Sequence, residues 1–359
     1  LDERAKGAAR AGSGMRAFVR GACFASGGAL LLALAALLVL VWLVSSMPGS
    51  SGTGAAPDAR QRELAARLEA HVRALALDIG PRHRARQGSL AAAANYIESA
   101  WRAAGHEVRR VPYERGGELG HNLEIELSAP RAGGALVIAG AHYDTVPESP
   151  GADDNASGVA ALLELAQLLP PRLAAAERGA EAAGVRRGLR LLAFADEEGP
   201  YELMGSHFYA QQLGREGHRV AAMLSIEMIG HFSDEAGSQT YPIAPLGWIY
   251  PERANFIAFV GNLSSRALVR DCVRVFRGAS ALPSEGVAAP ELLRDIRRSD
   301  HASFWSIGAP ALMVTDTSNF RYAHYHQPSD LPQQLDFSRM AQVVDGLSAI
   351  LSDLALRAD

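Results

Sequence analysis

Residues 135–158 read ALVIAGAHYDTVPESPGADDNASG. Ala135 to Ala141 are apolar without alternation, the pattern of a strand buried on both faces of a sheet. His142-Tyr143-Asp144 follow where the chain leaves that strand, the end at which open α/β sheets bind ligands. A His-x-Asp triplet is by itself ordinary loop sequence. A metal-bound imidazole, however, commonly gives its other N–H to a carboxylate, and Asp144 is available to His142 for that role. Asp153 and Asp154 then stand in a Gly-flanked turn before an apolar helix, Ser157 to Leu169. They read equally well as helix caps and as a cation site.

Outward from this stretch the same alternation recurs. Leu123 to Leu127, Leu189 to Ala195, Met223 to Met228, Phe256 to Val260 and Ala309 to Val314 read as strands. Asp58 to Leu77, Ser89 to Ala104, Gly205 to Leu213, Ser264 to Phe276 and Ser338 to Leu356 carry apolar residues at helical spacing. Strands alternating with helices predict an α/β fold, a mostly parallel mixed sheet with helices on both faces. Pro171 to Gly188 reads as a peripheral surface helix or loop, and Asp234 to Ala254 as a long structured loop.

Three more clusters fall at strand ends. Ala195-Asp196-Glu197-Glu198-Gly199 closes one strand with three consecutive carboxylates, whose mutual repulsion a cation or solvent must relieve. Glu227 lies in the apolar run Leu224 to Ile229, where a buried acid needs a cation, a metal or a hydrogen-bond network. Tyr322-Ala323-His324-Tyr325-His326-Gln327-Pro328-Ser329-Asp330 supplies further imidazoles after the last strand. Each cluster also has a plain reading as a solvated turn, a salt bridge or a structural histidine; their common placement on one sheet favours a shared site.

In this order AHYD, GADDNASG, ADEEG, SIEMIG and YHQPSD resemble the di-zinc exopeptidase family of bacterial leucyl aminopeptidases, aminopeptidase Y and glutamate carboxypeptidase. The likeness runs from about Asp58 to the carboxyl end, and it includes Asn122, Gly205-Ser206 and Ser299-Asp300-His301. The resemblance implies two Zn²⁺ per chain. One would take His142, Asp154 and Glu227, the other Asp154, Glu198 and His326, with Asp154 bridging. It implies Glu197 as general base and Tyr325 as the residue that steadies the oxyanion. Asp144, and less directly Asp300, would support the ligands. Glu227 departs from the many relatives that carry Asp there, which implies weaker binding of its metal. The implied activity is removal of terminal residues from peptides, aminopeptidase ahead of carboxypeptidase. The alternatives are a glutaminyl-cyclase-like acyltransferase, typically with one zinc, and a catalytically silent receptor-type ectodomain.

Composition narrows the remaining classes. The 359 residues are 48% hydrophobic and 21% charged, which suits a globular chain with a large core. A formal net charge of -4 gives no broad basic surface, so no nucleic-acid partner is expected. The two cysteines, Cys23 and Cys272, are not expected to pair. Gly21 to Pro57 carries no charge, and Ala29 to Val44 is an unbroken apolar run. A membrane helix needs ~20 apolar residues, which Ala22 to Val44 supplies. The basic residues Arg4, Lys6, Arg10, Arg16 and Arg20 precede it, so the positive-inside rule predicts a cytoplasmic amino terminus and a periplasmic or extracellular catalytic domain. A cleaved signal peptide has the same polarity. The predicted organisation is a basic segment (1–21), a transmembrane anchor (22–46), a flexible linker (47–57) and a peptidase domain (58–359).

Overall fold

The computed structural model describes residues 45–131, 133–179, 187–199 and 203–357. Packing divides the chain into two units, 1–46 and 47–359, and the fold described below is that of the second. The predicted anchor, Ala22 to Val44, and Cys23 lie outside the described residues. Among the described residues no helix is long and apolar enough to cross a membrane.

The strands are β1 (Arg109–Arg115), β2 (Glu118–Ser128), β3 (Leu136–His142), β4 (Gly188–Phe194), β5 (Val220–Glu227), β6 (Ile257–Asn262), β7 (Ser284–Ala289) and β8 (Ala311–Thr315). The helices are α1 (Ala59–Arg73), α2 (Ser89–Ala103), α3 (Gly158–Gly179), α4 (Met204–Arg215), α5 (Arg266–Ala279), α6 (His301–Trp305) and α7 (Phe337–Leu356). All strands join one sheet in the order β1-β2-β4-β3-β5-β8-β6-β7. The centre, β4-β3-β5-β8, is parallel. β1 and β2 add antiparallel at one edge, and β6 joins β8 antiparallel with β7 parallel beyond it. The sheet is thus more mixed than its apolar runs predict, because those runs report burial, not direction.

Side-chain alternation separates the two faces. Val137, Ala139 and Ala141 of β3 join Leu64, Leu68, Val269 and Val344 in one core beneath α1, α3, α5 and α7. On the other face Phe194 meets Tyr209 of α4 and Phe304 of α6, at ring centroids 6.1 and 6.3 Å apart. Both faces are covered, which is why the central strands read as continuous apolar runs. The start of α1 is fixed locally: Asp58 accepts from the Gln61 N–H at 2.8 Å while the Gln61 side chain accepts from the Asp58 N–H at 3.2 Å, a capping box. Leu64, Leu68, Val72 and Leu75 then form one buried stripe, each side chain contributing about 1.5–3 kcal/mol.

Two strands were not foreseen. β1 (RRVPYER) buries only Val111 and Tyr113, and β7 (SEGVAA) is built from small residues, so neither edge strand has a strong apolar signal. The Gly/Ser/Pro stretch 48–57, predicted as a flexible linker, lies along the domain. Ser51 Oγ donates to Ser284 O at 3.1 Å, Gly54 N to Ala281 O at 3.0 Å, and Gln342 Nε2 to Ala55 O at 2.9 Å. Composition signals freedom in such a stretch, but its backbone groups find partners on the fold.

Candidate metal centre

His142 is the last residue of β3 and Glu227 the last of β5. Asp154 sits in the turn Ala152–Ser157 that leads into α3. Glu197 and Glu198 follow β4, and His326 lies in the loop after β8 with a left-handed backbone (φ 58°). The carboxyl ends of four neighbouring parallel strands therefore supply every ligand candidate, as the topology of an open α/β sheet favours.

Two triads result, His142–Asp154–Glu227 and Asp154–Glu198–His326, each with ligand atoms within 4.8 Å of one another. His142 Nε2 lies 3.2 Å from Asp154 Oδ1 and 3.2 Å from Glu227 Oε2. His326 Nε2 lies 3.0 Å from Asp154 Oδ2 and 2.6 Å from Glu198 Oε1. The two oxygens of Asp154 thus face different triads. Asp154 Oδ1 is buried and completes no hydrogen bond despite its nearness to the imidazole. Nitrogen and carboxylate donors pointing into shared space suit a divalent cation such as Zn²⁺ better than a proton.

The charges agree with that fit. Burial disfavours the His142 imidazolium, yet Glu227 and Glu197 outweigh it and hold the ring well above its ordinary range. Burial also opposes the charged form of His326, which hydrogen bonding to Asp154 and Glu198 nonetheless lifts to about 10. Burial pushes up Glu197, Glu227 and Glu198, the last to about 7 with Asp154 facing it. Asp154 escapes because both imidazoles face it, and it is held below the usual carboxylate range despite its burial. Crowded acids of this kind are what a bound dication relieves.

The supporting residues reveal more than the motifs do. Asp144, expected to orient His142, has its Oδ1 3.7 Å from His142 Nδ1, and its backbone oxygen lies closer at 3.2 Å. Its carboxylate accepts the N–H groups of Glu197 and Glu198 at 3.1 and 2.9 Å, tying the β3 and β4 ends together. Asp300 is fully buried, without a hydrogen bond at either oxygen among the described residues, and burial pushes it up to about 7 against the opposing pull of His142. Tyr325 stacks on His326, with ring centroids 3.7 Å apart, and its hydroxyl accepts from Arg298 Nη2 at 2.9 Å. Glu197 is partly exposed beside Glu198 and makes no side-chain hydrogen bond or ion pair among the described residues.

Further residues fasten the ligands in ways that the motifs alone do not disclose. Ser299 donates to Glu227 Oε2 at 2.8 Å and Asn155 Nδ2 reaches the same oxygen at 3.3 Å, so the longer Glu227 side chain is held from two sides. Asp330 accepts from the N–H groups of Asp153 and Asp154 at 2.9 and 3.2 Å. Arg82, fully buried, donates to the carbonyls of Tyr143, Pro150 and Gly151 at 2.8, 2.6 and 2.8 Å. It braces both ends of the connection between His142 and Asp154, and no local pattern around it announces the role. Asp196, first of the three acids, turns away to Arg84 and to Tyr113, so it belongs to the scaffold. Arg321 is likewise committed to structure, giving Nη1 to Phe256 O at 2.9 Å. Asn122 and Gly205 explain one another: Asn122 Nδ2 donates to Gly205 O at 2.8 Å, and a Cβ on Gly205 would lie 2.4 Å from Asn122 Oδ1.

Comparison with known proteins places these residues in a family. The sequence profile of peptidase family M28 matches residues 122–351. The uncharacterized protein YfbL of Escherichia coli K12 is 35% identical over 295 residues, which is 79% of this chain and 86% of YfbL. Curated aminopeptidases match at 26% identity, and the chain spans 54% and 40% of two of them. Among solved structures, BSAP, a zinc aminopeptidase from Bacillus subtilis, gives a TM-score of 0.60 at 16% identity over 80% of this chain and 94% of its own. A glutaminyl cyclase from Porphyromonas gingivalis gives 0.56 at 18% identity over 80% and 98%, so the fold by itself does not choose a chemistry. The family match covers all five motifs and both triads, and on that ground the chain belongs to peptidase family M28.

Proposed function

We propose that this chain is a two-zinc aminopeptidase, and that an amino-terminal helix over residues 22–44 tethers its catalytic domain on the periplasmic or extracellular side of a membrane. The observation that carries the reading is Asp154, which belongs to both triads and whose Oδ1 lies 3.2 Å from His142 Nε2 while its Oδ2 lies 3.0 Å from His326 Nε2. His142, Asp154 and Glu227 would hold one ion, and Asp154, Glu198 and His326 the other. Bound there, the ions would polarise the scissile carbonyl and lower the pKa of the attacking water. The protein's own part is proton transfer. Glu197 takes a proton from the water as the new C–O bond forms, and returns it to the leaving nitrogen as the C–N bond breaks. Tyr325, its oxygen already accepting from Arg298, keeps its own proton to donate to the carbonyl oxygen. Names borne by relatives support aminopeptidase action over carboxypeptidase action.

The test is metal analysis together with a panel of amino-acyl and carboxyl-terminal chromogenic peptides. Two ions per chain and release of amino-terminal residues, abolished by chelation and restored by Zn²⁺, are expected. One ion with cyclisation of amino-terminal glutamine would replace the reading with the acyltransferase. Full metal with no turnover would replace it with a silent ectodomain.

Ser299 provides a finer check. Ser299→Ala removes one of the two donors that hold Glu227, so affinity at the His142 ion should fall ~10–100-fold while the His326 ion is retained. Competition with a zinc-binding dye reads both steps. Equal loss at both ions would contradict the division into two triads.

A further inference from the structure

We infer that the loop Tyr241–Tyr250 is a second membrane contact, one that inserts into the lipid interface beside the point where the domain meets its anchor; this rests on the tether proposed above. The segment reads YPIAPLGWIY and holds no charged residue. Its single 3₁₀ turn, Ala244–Trp248, buries none of its residues. Ile243, Trp248 and Ile249 are 48%, 87% and 44% exposed, a concentration of large apolar side chains that water does not favour.

The loop is firmly mounted. Tyr241 donates to Pro251 O at 2.7 Å, closing its base, and Thr240 Oγ1 donates to Phe320 O at 2.6 Å. Tyr250 donates to Gly286 O at 3.1 Å. Gly286 is also where the chain enters the domain: a Cβ placed there would lie 2.8 Å from Met47 Sδ, so the Met47 side chain packs directly on this glycine. Tyr250 and Met47 therefore converge on one residue. Val44, where the apolar run ends, precedes Met47 by only three positions, and consecutive Cα atoms are 3.8 Å apart. By the same measure Trp248 stands within ~8 Å of Tyr250. A tether over residues 22–44 would therefore join the domain at Met47, beside the residue that Tyr250 bonds. A Trp flanked by Ile, Pro and Tyr without charge is the side-chain set that settles at the headgroup level.

The chain has four tryptophans, at positions 42, 101, 248 and 305. Trp101 and Trp305 are buried and so shielded from acrylamide, and in the full chain carrying Trp42→Phe the remaining exposed indole is Trp248. It is reconstituted into vesicles of phosphatidylethanolamine and phosphatidylglycerol, and its emission is compared with that of the Trp42→Phe/Trp248→Phe chain. The Trp248 component is expected to be blue-shifted, quenched by lipids spin-labelled near the headgroup, and protected from acrylamide. Flotation with the vesicles while Trp248 stays open to acrylamide and untouched by the spin label would overturn the contact and leave the tether standing. Failure to float would overturn both.

An Ile243→Ser/Ile249→Ser chain should lose the blue shift and keep the hydrolysis rate of a small soluble substrate in detergent. Loss of that rate would assign the loop to substrate handling instead. A change in particle mass in detergent would assign it to self-association. Either result overturns the lipid contact.

Discussion

Replacing Glu197 with Gln is expected to leave both triads loaded with metal and to lower kcat by about 10²–10⁴-fold, the usual worth of a positioned general base. The expectation follows from how the turn after β4 divides its three acids. Asp196 is paired with Arg84 and Tyr113, and Glu198 with His326, while the Glu197 carboxylate has no hydrogen bond or ion pair among the described residues. It is therefore the acid free to take a proton. Its backbone N–H is held by Asp144 Oδ1 at 3.1 Å, a contact that Gln preserves, so the turn should not rearrange. Burial raises its proton affinity, with Glu198 and Glu227 facing it, which suits a group that must accept a proton and give it up again. Metal content by atomic emission and turnover by a chromogenic substrate are read on the same sample. Unchanged turnover would remove Glu197 from the base role. Loss of one ion would show that Glu197 and Glu198 exchange parts.

Asp154→Asn should have the still broader effect of emptying both sites together. The amide keeps the shape but removes the charge and replaces one acceptor oxygen by a donor nitrogen. Either orientation of the amide leaves one triad facing N–H₂ in place of an oxygen. Losing a partner that only supports a ligand typically costs ~10–100-fold in metal affinity. A shared ligand should cost more than that at each of two ions. Activity is expected to fall below detection at metal concentrations that saturate the wild-type protein. The fold should survive, because the Asp154 N–H still reaches Asp330 and the neighbouring Asn155 still bonds the β5 end. Circular dichroism of the metal-free variant checks this. Retention of two ions at wild-type affinity would mean that Asp154 does not bridge, and the two-ion reading would go with it.

Much of the fold is legible from the chain alone where burial on both faces makes a strand continuously apolar. β3, β4, β5 and β8 announce themselves in this way. The edges do not. β1 carries Pro112 and four charged residues among its seven, a composition fit for a sheet edge and poor as a signal. The docked course of residues 48–57 was equally hidden, because the groups that hold it, on Ala281, Ser284 and Gln342, are more than two hundred residues away.

The sequence by itself determined the order of the five motifs, their placement at strand ends and the residue types able to hold cations, since these depend on local pattern and chemistry. Only the tertiary structure decided which oxygen of Asp154 faces which triad, which of three adjacent acids stays free, and that Arg82, Ser299 and Asp330 fasten the site. The physical reason is distance along the chain. Asp330 meets Asp154 across 176 residues and Ser299 meets Glu227 across 72, and such contacts exist only once the sheet has brought its strand ends together.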